Sequence, residues 1–341
     1  MSHLAAIIPA PKAPLVVQKV ETPKPGPHEL LIKNELVGLL PLDAKLAKAA
    51  IFPLQYPAIL GVSFGGTVAA VGADVSGFNV GDMVTTAKMD VAAGDKFSAF
   101  QQYVVARAIT TSNIPKNIEL NLPVSLVGNL GTVVGLFTLS AGLEKPDPEA
   151  QVPSKDSKIL VYGGTSSFGS LSVQYVTQAG YKVVTTTSPK HESFVSKLGA
   201  LKVVDHTQDE EALVNELVEE GPYDLVVDAI SIPSTLRVTA AVLSAQGGGD
   251  VYALLPAFGP ETLPHGVTRK FDSWSVPLRD EENAELLKWT FGSYLPRAVA
   301  KGKLVPLPTQ KASGGLGGLN DALTELYNGV SGVKIVTHPW E

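Results

Sequence analysis

The sequence predicts an α/β protein of two parts, a β-rich, barrel-like part and a doubly wound parallel sheet. Three observations predict it. The opening stretch reads as short strands separated by proline-rich turns, without a helical period. From residue 158 onward, short apolar runs alternate with segments of helical period, the pattern of a parallel sheet covered on both faces. A chain of 341 residues is also too long for one ordinary core.

Taken in order, strands are expected at 5–10, 15–20 and 29–37. Residues 39–50 read as a loop leading into a short helix. Strand segments follow at 56–61 and 67–72, from Val80, and at 100–106. Many short strands with Gly/Pro turns argue for a barrel-like part reaching about Pro123. A helix is expected over 125–142, then a surface linker over 145–157. Strands are expected at 158–162, 181–187, 202–205, 224–228, 250–255 and 268–276, with helices at 167–179, 190–198, 209–219 and 233–243. The tail reads as a helix over 281–301, a strand near Leu304, a helix over 319–327 and a strand over 334–337. So little structure does not make a domain, and the economical reading returns it to the first. The expected division is 1–123 with 279–341 against 124–278.

Composition removes several functions. With no cysteine, disulfides, thiolate catalysis and Cys-ligated zinc are excluded. The 27 basic and 33 acidic residues give a net charge of −6, and no Lys/Arg cluster stands out, so nucleic acid and anionic membrane are not expected partners. The N-terminus lacks a basic region followed by a long apolar one, so no signal peptide is read and a cytoplasmic location is expected. Residues 122–143 carry no formal charge, but Pro123, Asn129 and several Gly, Ser and Thr point to a buried helix rather than a membrane span.

The central motif is the run from Lys158 to Gly169. An apolar strand stops at a Gly/Ser turn and a helix follows, which aims backbone N–H groups at one spot suited to a phosphate. The Gly-x-Gly-x-x-Gly spacing falls on Gly164, Ser166 and Gly169, so a serine replaces the middle glycine, and alone this is a weak signal. The next strand adds to it. It ends Thr185-Thr-Thr187-Ser188-Pro-Lys190-His191, without the acid that an NAD site needs for the ribose 2′-OH. Hydroxyls, a lysine and a histidine suit a 2′-phosphate instead, so NADPH is the expected cofactor. Ser188 can equally be a helix N-cap, and both roles can hold together.

Other motifs are weaker. Gly61-Val-Ser63-Phe-Gly65 matches the nucleophile elbow of hydrolases, but strand-like residues follow where a helix is needed, so the match reads as accidental. No tyrosine stands in a Tyr-x-x-x-Lys pair, and the six histidines show no metal spacing. A metal-free site is expected, its chemistry resting on a cofactor and a few polar groups. Lys45 in the early loop reads by default as a solvent-facing lysine, and Asp43 as an N-cap.

With these motifs laid out, the chain resembles the medium-chain dehydrogenase/reductase superfamily over its whole length. It looks closest to the zinc-independent branch of quinone oxidoreductases and fungal trans-acting enoyl reductases. Tyr56-Pro-Ala-Ile-Leu-Gly61, Gly65-Gly-Thr-Val-Ala-Ala-Val-Gly72, Val80-Gly-Asp82-Met-Val84 and Gly163-Gly-Thr-Ser-Ser-Phe-Gly169 carry the resemblance, with Leu198-Gly-Ala200 and the tail Gly329-Val-Ser-Gly-Val-Lys-Ile-Val336. It implies a GroES-like β-barrel catalytic domain and a Rossmann cofactor domain. It also implies roles. The loop Gly163, Gly164, Thr165, Ser166, Ser167, Phe168 and Gly169 would hold the pyrophosphate, with Ser188, Lys190 and His191 near the 2′-phosphate. His206 would stand by the adenine ribose, where relatives usually have tyrosine. Leu254 and Leu255 would lie along the nicotinamide, and Val330 and Ser331 would close the site. Asp43 and Lys45 fall in the family's Asn-Pro-x-Asp-Trp-Lys motif and join the cofactor-binding set. Lys45 and Thr132 become the catalytic candidates.

The departures are Leu40-Pro-Leu-Asp-Ala-Lys45, which lacks the motif's Asn and Trp, and Val62-Ser63, which stands where zinc dehydrogenases carry a His-Glu pair. The expected activity is NADPH-dependent hydride transfer to the β-carbon of an α,β-unsaturated carbonyl, either a free enone or an enoyl thioester. Quinone reduction is an alternative, as is a nucleotide-binding sensor with little turnover. Expected partners are a small or carrier-borne substrate, with an acyl-carrier domain as its bearer, and the chain is read as a monomer or homodimer.

Overall fold

The computed structural model describes residues 1–257 and 259–341. In chain order the first elements are β1 (Ser2–Ile8), β2 (Val16–Glu21), β3 (Glu29–Gly38), α1 (Pro41–Ala49), β4 (Ala58–Ile59), β5 (Ser63–Val71), β6 (Met83–Ala87), β7 (Tyr103–Arg107), β8 (Thr111–Asn113) and α2 (Asn121–Val134). The middle holds β9 (Lys158–Tyr162), α3 (Ser167–Gln178), β10 (Lys182–Thr187), α4 (Glu192–Ser196), β11 (Lys202–Asp205), α5 (Glu210–Glu220), β12 (Leu225–Asp228), α6 (Pro233–Ala245), β13 (Gly249–Ala253) and β14 (Val267–Phe271). The tail adds α7 (Ala284–Trp289), α8 (Leu295–Ala300), β15 (Thr309–Lys311), α9 (Leu319–Asn328) and β16 (Lys334–Thr337). Two compact units result: Met1–Gly131 with Leu278–Glu341, and Thr132–Pro277.

In the first unit, β3 is the hub. It pairs antiparallel with β5, β7 and β16, within a seven-stranded sheet ordered β15-β16-β3-β5-β6-β8 with β7 on β3. Its alternate residues Leu30 and Ile32 are fully buried while Lys33 is exposed, the period of a half-buried strand. The register slips between Asn34 and Leu36, and the buried Asn34 amide there donates to Ala99 O (2.7 Å) and Gln101 O (2.9 Å). The slip re-aims the strand without stranding that amide. A second sheet, β2-β1-β4, is antiparallel. The tail strand β16 joins β3 at Val336↔Gly38 and Thr337↔Val37.

The second unit is a six-stranded sheet, all parallel, ordered β11-β10-β9-β12-β13-β14. Counted from β9, this is the 3-2-1-4-5-6 order of the doubly wound dinucleotide fold. Its central strands are apolar through their length because both faces are covered, as at Ile159, Leu160 and Val161, each fully buried.

Several expected boundaries move. The helix expected at residue 125 begins at Asn121, because Pro123 lies in its first turn, where a missing N–H costs nothing. Past Val134 it widens into a π-turn, Gly135–Ser140. A Cβ at Gly135 would meet Trp274 O at 1.9 Å, so glycine is needed for that approach. The uncharged span Asn121–Ser140 is long and apolar enough to cross a membrane, yet 67% of its most apolar window is buried inside the protein, as in a core helix.

The expected strand from Val80 starts only at Met83, after a turn with Gly81 at φ +95. The strand expected over 268–276 stops at Phe271. The tail helix is interrupted by a π-turn, Thr290–Tyr294, just ahead of Pro296, which cannot donate to the preceding turn. The strand expected near Leu304 is absent. Leu304 and Leu307 are buried, but Pro306 and Pro308 remove ladder donors, and pairing begins at Thr309.

The close β3–β5 pairing is testable. A Cβ at Gly66 would lie 2.0 Å from Lys33 O, whereas Gly317 has nothing within 4 Å and an ordinary φ. Gly66→Ala should destabilise by about 1–3 kcal/mol and Gly317→Ala by less than about 0.5 kcal/mol, read by urea unfolding.

Candidate active site

The turn between β9 and α3 is built by close backbone contacts. Gly163, at φ +92, donates its N–H to Thr186 Oγ1 (2.9 Å), and Gly164 N–H reaches Thr186 O (2.9 Å). Ser166 caps α3. Its hydroxyl accepts from Gly169 N–H and donates to Gly163 O, both at 2.9 Å. The serine in the middle of the glycine pattern is therefore a working cap. A Cβ at Gly169 would lie 2.2 Å from Gly163 O, so the third glycine is required by helix–strand packing. Thr165, Ser166 and Ser167 are half-buried and reachable. Among the described residues the N–H groups of Thr165 and Phe168 have no protein acceptor, so they are available to an anion at the helix N-terminus.

The neighbouring strand ends bring the expected residues of this unit together. Thr187 Oγ1 donates to Thr165 Oγ1 (3.3 Å), and His206 N–H reaches Thr187 O (3.1 Å), with its exposed ring 6.4 Å from that of Tyr162. Ser188 holds the N-cap position of a short 3₁₀ turn, Pro189–His191, but its hydroxyl makes no capping bond there. Lys190 is exposed and His191 half-buried. Burial first, and then the Lys190 charge, push the His191 imidazole below its ordinary value, so near neutrality it offers a neutral ring. All of these lie at the carboxyl ends of the parallel strands, where open α/β sheets bind ligands.

At the other side of the strand-order reversal, buried Asp228 accepts from Ile230 N–H (2.9 Å), Ser231 N–H (2.7 Å) and Thr235 Oγ1 (2.6 Å). This fixes Ser231 at φ +59, and its hydroxyl accepts from Leu254 N–H (2.7 Å). Leu254 and Leu255, half-buried, are thereby held at the carboxyl end of β13. Thr132 is half-buried on α2 in this unit, while Lys45, Asp43, Val330 and Ser331 belong to the first.

On α1, Asp43 stands in the first turn rather than at the N-cap. Its Oδ2 accepts from Leu40 N–H (2.8 Å), the return half of a capping box whose other half Leu40 cannot supply. Asp43 is fully buried, so its carboxylate acts on the helix and not on solvent. Lys45, two residues on, is half-buried and has no ion pair or hydrogen bond among the described residues; desolvation lowers its pKa. Ser63 lies at the start of β5 with its hydroxyl on Val124 O (2.7 Å), not on a strand-to-helix elbow.

Two cations went unread in the sequence. Lys334 is fully enclosed on β16, its Nζ without a hydrogen-bond partner, and burial takes its pKa down to about 8 against the pull of Asp43. Lys88, just past β6, is half-buried and also acts on Asp43. The signal for Lys334 was a charge inside the apolar run Gly-Val-Lys-Ile-Val. Despite these cations, burial raises the Asp43 carboxyl to about 7.

Residues 26–116 match the alcohol dehydrogenase GroES-like domain family. The chain is 30% identical to the dehydrogenase azaJ of Aspergillus niger over 98% of each chain, and 30% identical to the trans-enoyl reductase tndF of Aspergillus flavipes over the same shares. It belongs to the medium-chain dehydrogenase/reductase superfamily. Within it, this oxidoreductase falls on the zinc-independent branch represented by its trans-enoyl reductase relatives. Among solved structures, an alcohol dehydrogenase superfamily protein from Novosphingobium aromaticivorans superposes with a TM-score of 0.73 at 25% identity, covering 98% of this chain and 99% of the other. A mycobacterial protein crystallised with NADPH superposes at 0.77 with 21% identity, covering 99% and 100%.

The Asp43 arrangement carries a pH signature. Asp43 has a folded pKa above its unfolded one, so its contribution to stability is present at low pH and lost as pH rises toward 7. In Asp43→Asn, Lys334 loses its counter-charge and its pKa falls further, which also favours the variant as pH rises. The stability of Asp43→Asn relative to the native chain should therefore climb between about pH 4 and pH 8 in parallel urea unfolding series. A flat difference would remove the buried carboxyl from the account.

Proposed function

We propose that this oxidoreductase is an NADPH-dependent reductase of α,β-unsaturated carbonyls, either free enones or enoyl thioesters borne on a carrier domain. The observation that carries the cofactor choice is the end of β10, where Ser188, Lys190 and His191 stand and no carboxylate does. A carboxylate there would accept from a 2′-OH and repel a 2′-phosphate; an ammonium and hydroxyl do the reverse. The turn fits a phosphate-bearing group as well, through the Thr165 and Phe168 N–H groups and the half-exposed hydroxyls beside them.

When bound, the nicotinamide would supply a hydride to the substrate β-carbon. The chain's part is to hold the cofactor and manage protons. Gly163–Gly169 would seat the pyrophosphate, Ser188, Lys190 and His191 the 2′-phosphate, with His206 by the adenine ribose. Leu254 and Leu255 would offer an apolar wall to the nicotinamide, with Val330 and Ser331 as further contacts. Negative charge develops on the carbonyl oxygen and calls for a preplaced donor. Lys45 is proposed as that donor, with Thr132 as a second hydroxyl donor. A desolvated, unpaired ammonium is a stronger acid than an ordinary lysine and so gives up its proton more readily. Asp43 would serve the cofactor site through α1, by fixing the turn that carries Lys45.

NADPH oxidation against a panel of enones, enoyl thioesters and quinones tests this reading. Turnover on the first two is expected; binding without oxidation across the panel would leave a nucleotide-binding protein. Lys45→Ala should lower kcat by about 100-fold with little change in NADPH affinity. Native activity should fall as pH rises through the Lys45 pKa, below that of an ordinary lysine. Lys190→Ala should raise KM for NADPH by about tenfold while leaving NADH unchanged.

A further inference from the structure

The first unit contains a cavity of about 170 Å³ that the proposed reaction does not use. It lies where the loop after β6, the end of β7 and the segment after Leu278 meet. Phe64, Phe97 and Leu287 give it an apolar lining, and Lys88, Asp90 and Arg279 give it charge. Its size is close to that of a cavity of about 150 Å³ that takes benzene, so it suits one ring rather than a long chain.

The charges are unevenly matched. Lys88 is anchored by its backbone, whose N–H reaches Val62 O at 2.9 Å. Its side chain is half-buried and its ammonium has one acceptor among the described residues, the neutral Ser98 hydroxyl at 2.9 Å. An ammonium has three donors, so two are left. Arg279 spends Nη1 on Asp90 at 2.5 Å, while its Nε–H is buried without a partner. Lys88 and Arg279 thus share Asp90 in the wall, while Arg107, Asp280 and Glu281 are exposed at the rim, where water screens them. Burial lowers the Lys88 pKa in spite of Asp95, Asp90 and Asp43, which is how an under-compensated cation behaves.

We infer that this cavity is a binding site for a small carboxylate with an apolar, ring-sized body, its oxygens taken by Lys88 and Arg279 and its body by Phe64, Phe97 and Leu287. A carboxylate makes charge-assisted bonds to both cations and relieves the desolvated ammonium. A neutral ring of the same shape would gain only the apolar contacts, and acetate only the polar ones.

Calorimetric titration of the full chain with sodium benzoate tests the assignment without the cofactor, so its failure leaves the reductase reading standing. Saturable binding of one benzoate with a Kd near or below about 1 mM is expected. Benzyl alcohol and acetate should each bind about tenfold more weakly. Lys88→Met should weaken benzoate by about tenfold and leave benzyl alcohol unchanged. Should Lys88→Met fail to fold, Arg279→Gln gives the same readout. Failure of benzoate to saturate overturns the proposal. So does benzoate binding that the variant leaves unchanged, because that places the ligand elsewhere.

Discussion

The second unit depends on how closely the first turn of α3 approaches the end of β9. Gly169 comes so near Gly163 O that a single methyl group would not fit. Ser166 bridges the same two residues with one hydroxyl. Thr186 of β10 holds the turn from its flank through both side chain and backbone. This compaction leaves the N–H groups of Thr165 and Phe168 without internal acceptors at the carboxyl end of the sheet. A loosely packed turn would satisfy them locally and lose its value to an anion. The same contact that closes the fold thus leaves two backbone donors at the carboxyl end of the sheet without internal partners.

In the first unit the corresponding constraint is electrostatic. Asp43, Lys334 and Lys88 come from α1, β16 and the segment after β6, and they interact in an interior that disfavours every one of their charges. Asp43 also satisfies the start of α1, which Leu40 cannot cap with its side chain. Such a cluster is a poor source of stability compared with an apolar core. It ties the tail strand to the helix that carries Lys45 by charge, beside the backbone bond from Leu39 N–H to Ile335 O (2.9 Å).

Much of this was legible in the sequence because it rests on local pattern. Ile159-Leu-Val161 is apolar throughout because both faces of β9 are covered, and α3 announces itself by its apolar period and glycine turn. The Gly163–Gly169 residues, Ser188 and His206 meet because each follows a strand of one parallel sheet. Where pattern misled, the placement of a proline or the burial of a charge was the cause. Pro123 looked like a boundary but occupies a helix's first turn, and Leu304 looked like a strand but is flanked by Pro306 and Pro308. Asp43 read as a cap or a ligand contact, and only its burial shows that it is turned inward. Arg279 lies far along the chain from Lys88 and Asp90, and no periodicity announces that the three line one cavity.

The end of β10 is proposed to select a 2′-phosphorylated nicotinamide nucleotide. Its most direct measurement is calorimetric titration of the resting protein with NADPH and with NADH at the same ionic strength. NADPH is expected to bind more tightly by about tenfold or more, roughly 1.4 kcal/mol, with the gap narrowing as salt is raised. Equal affinity, or a preference for NADH, would contradict it.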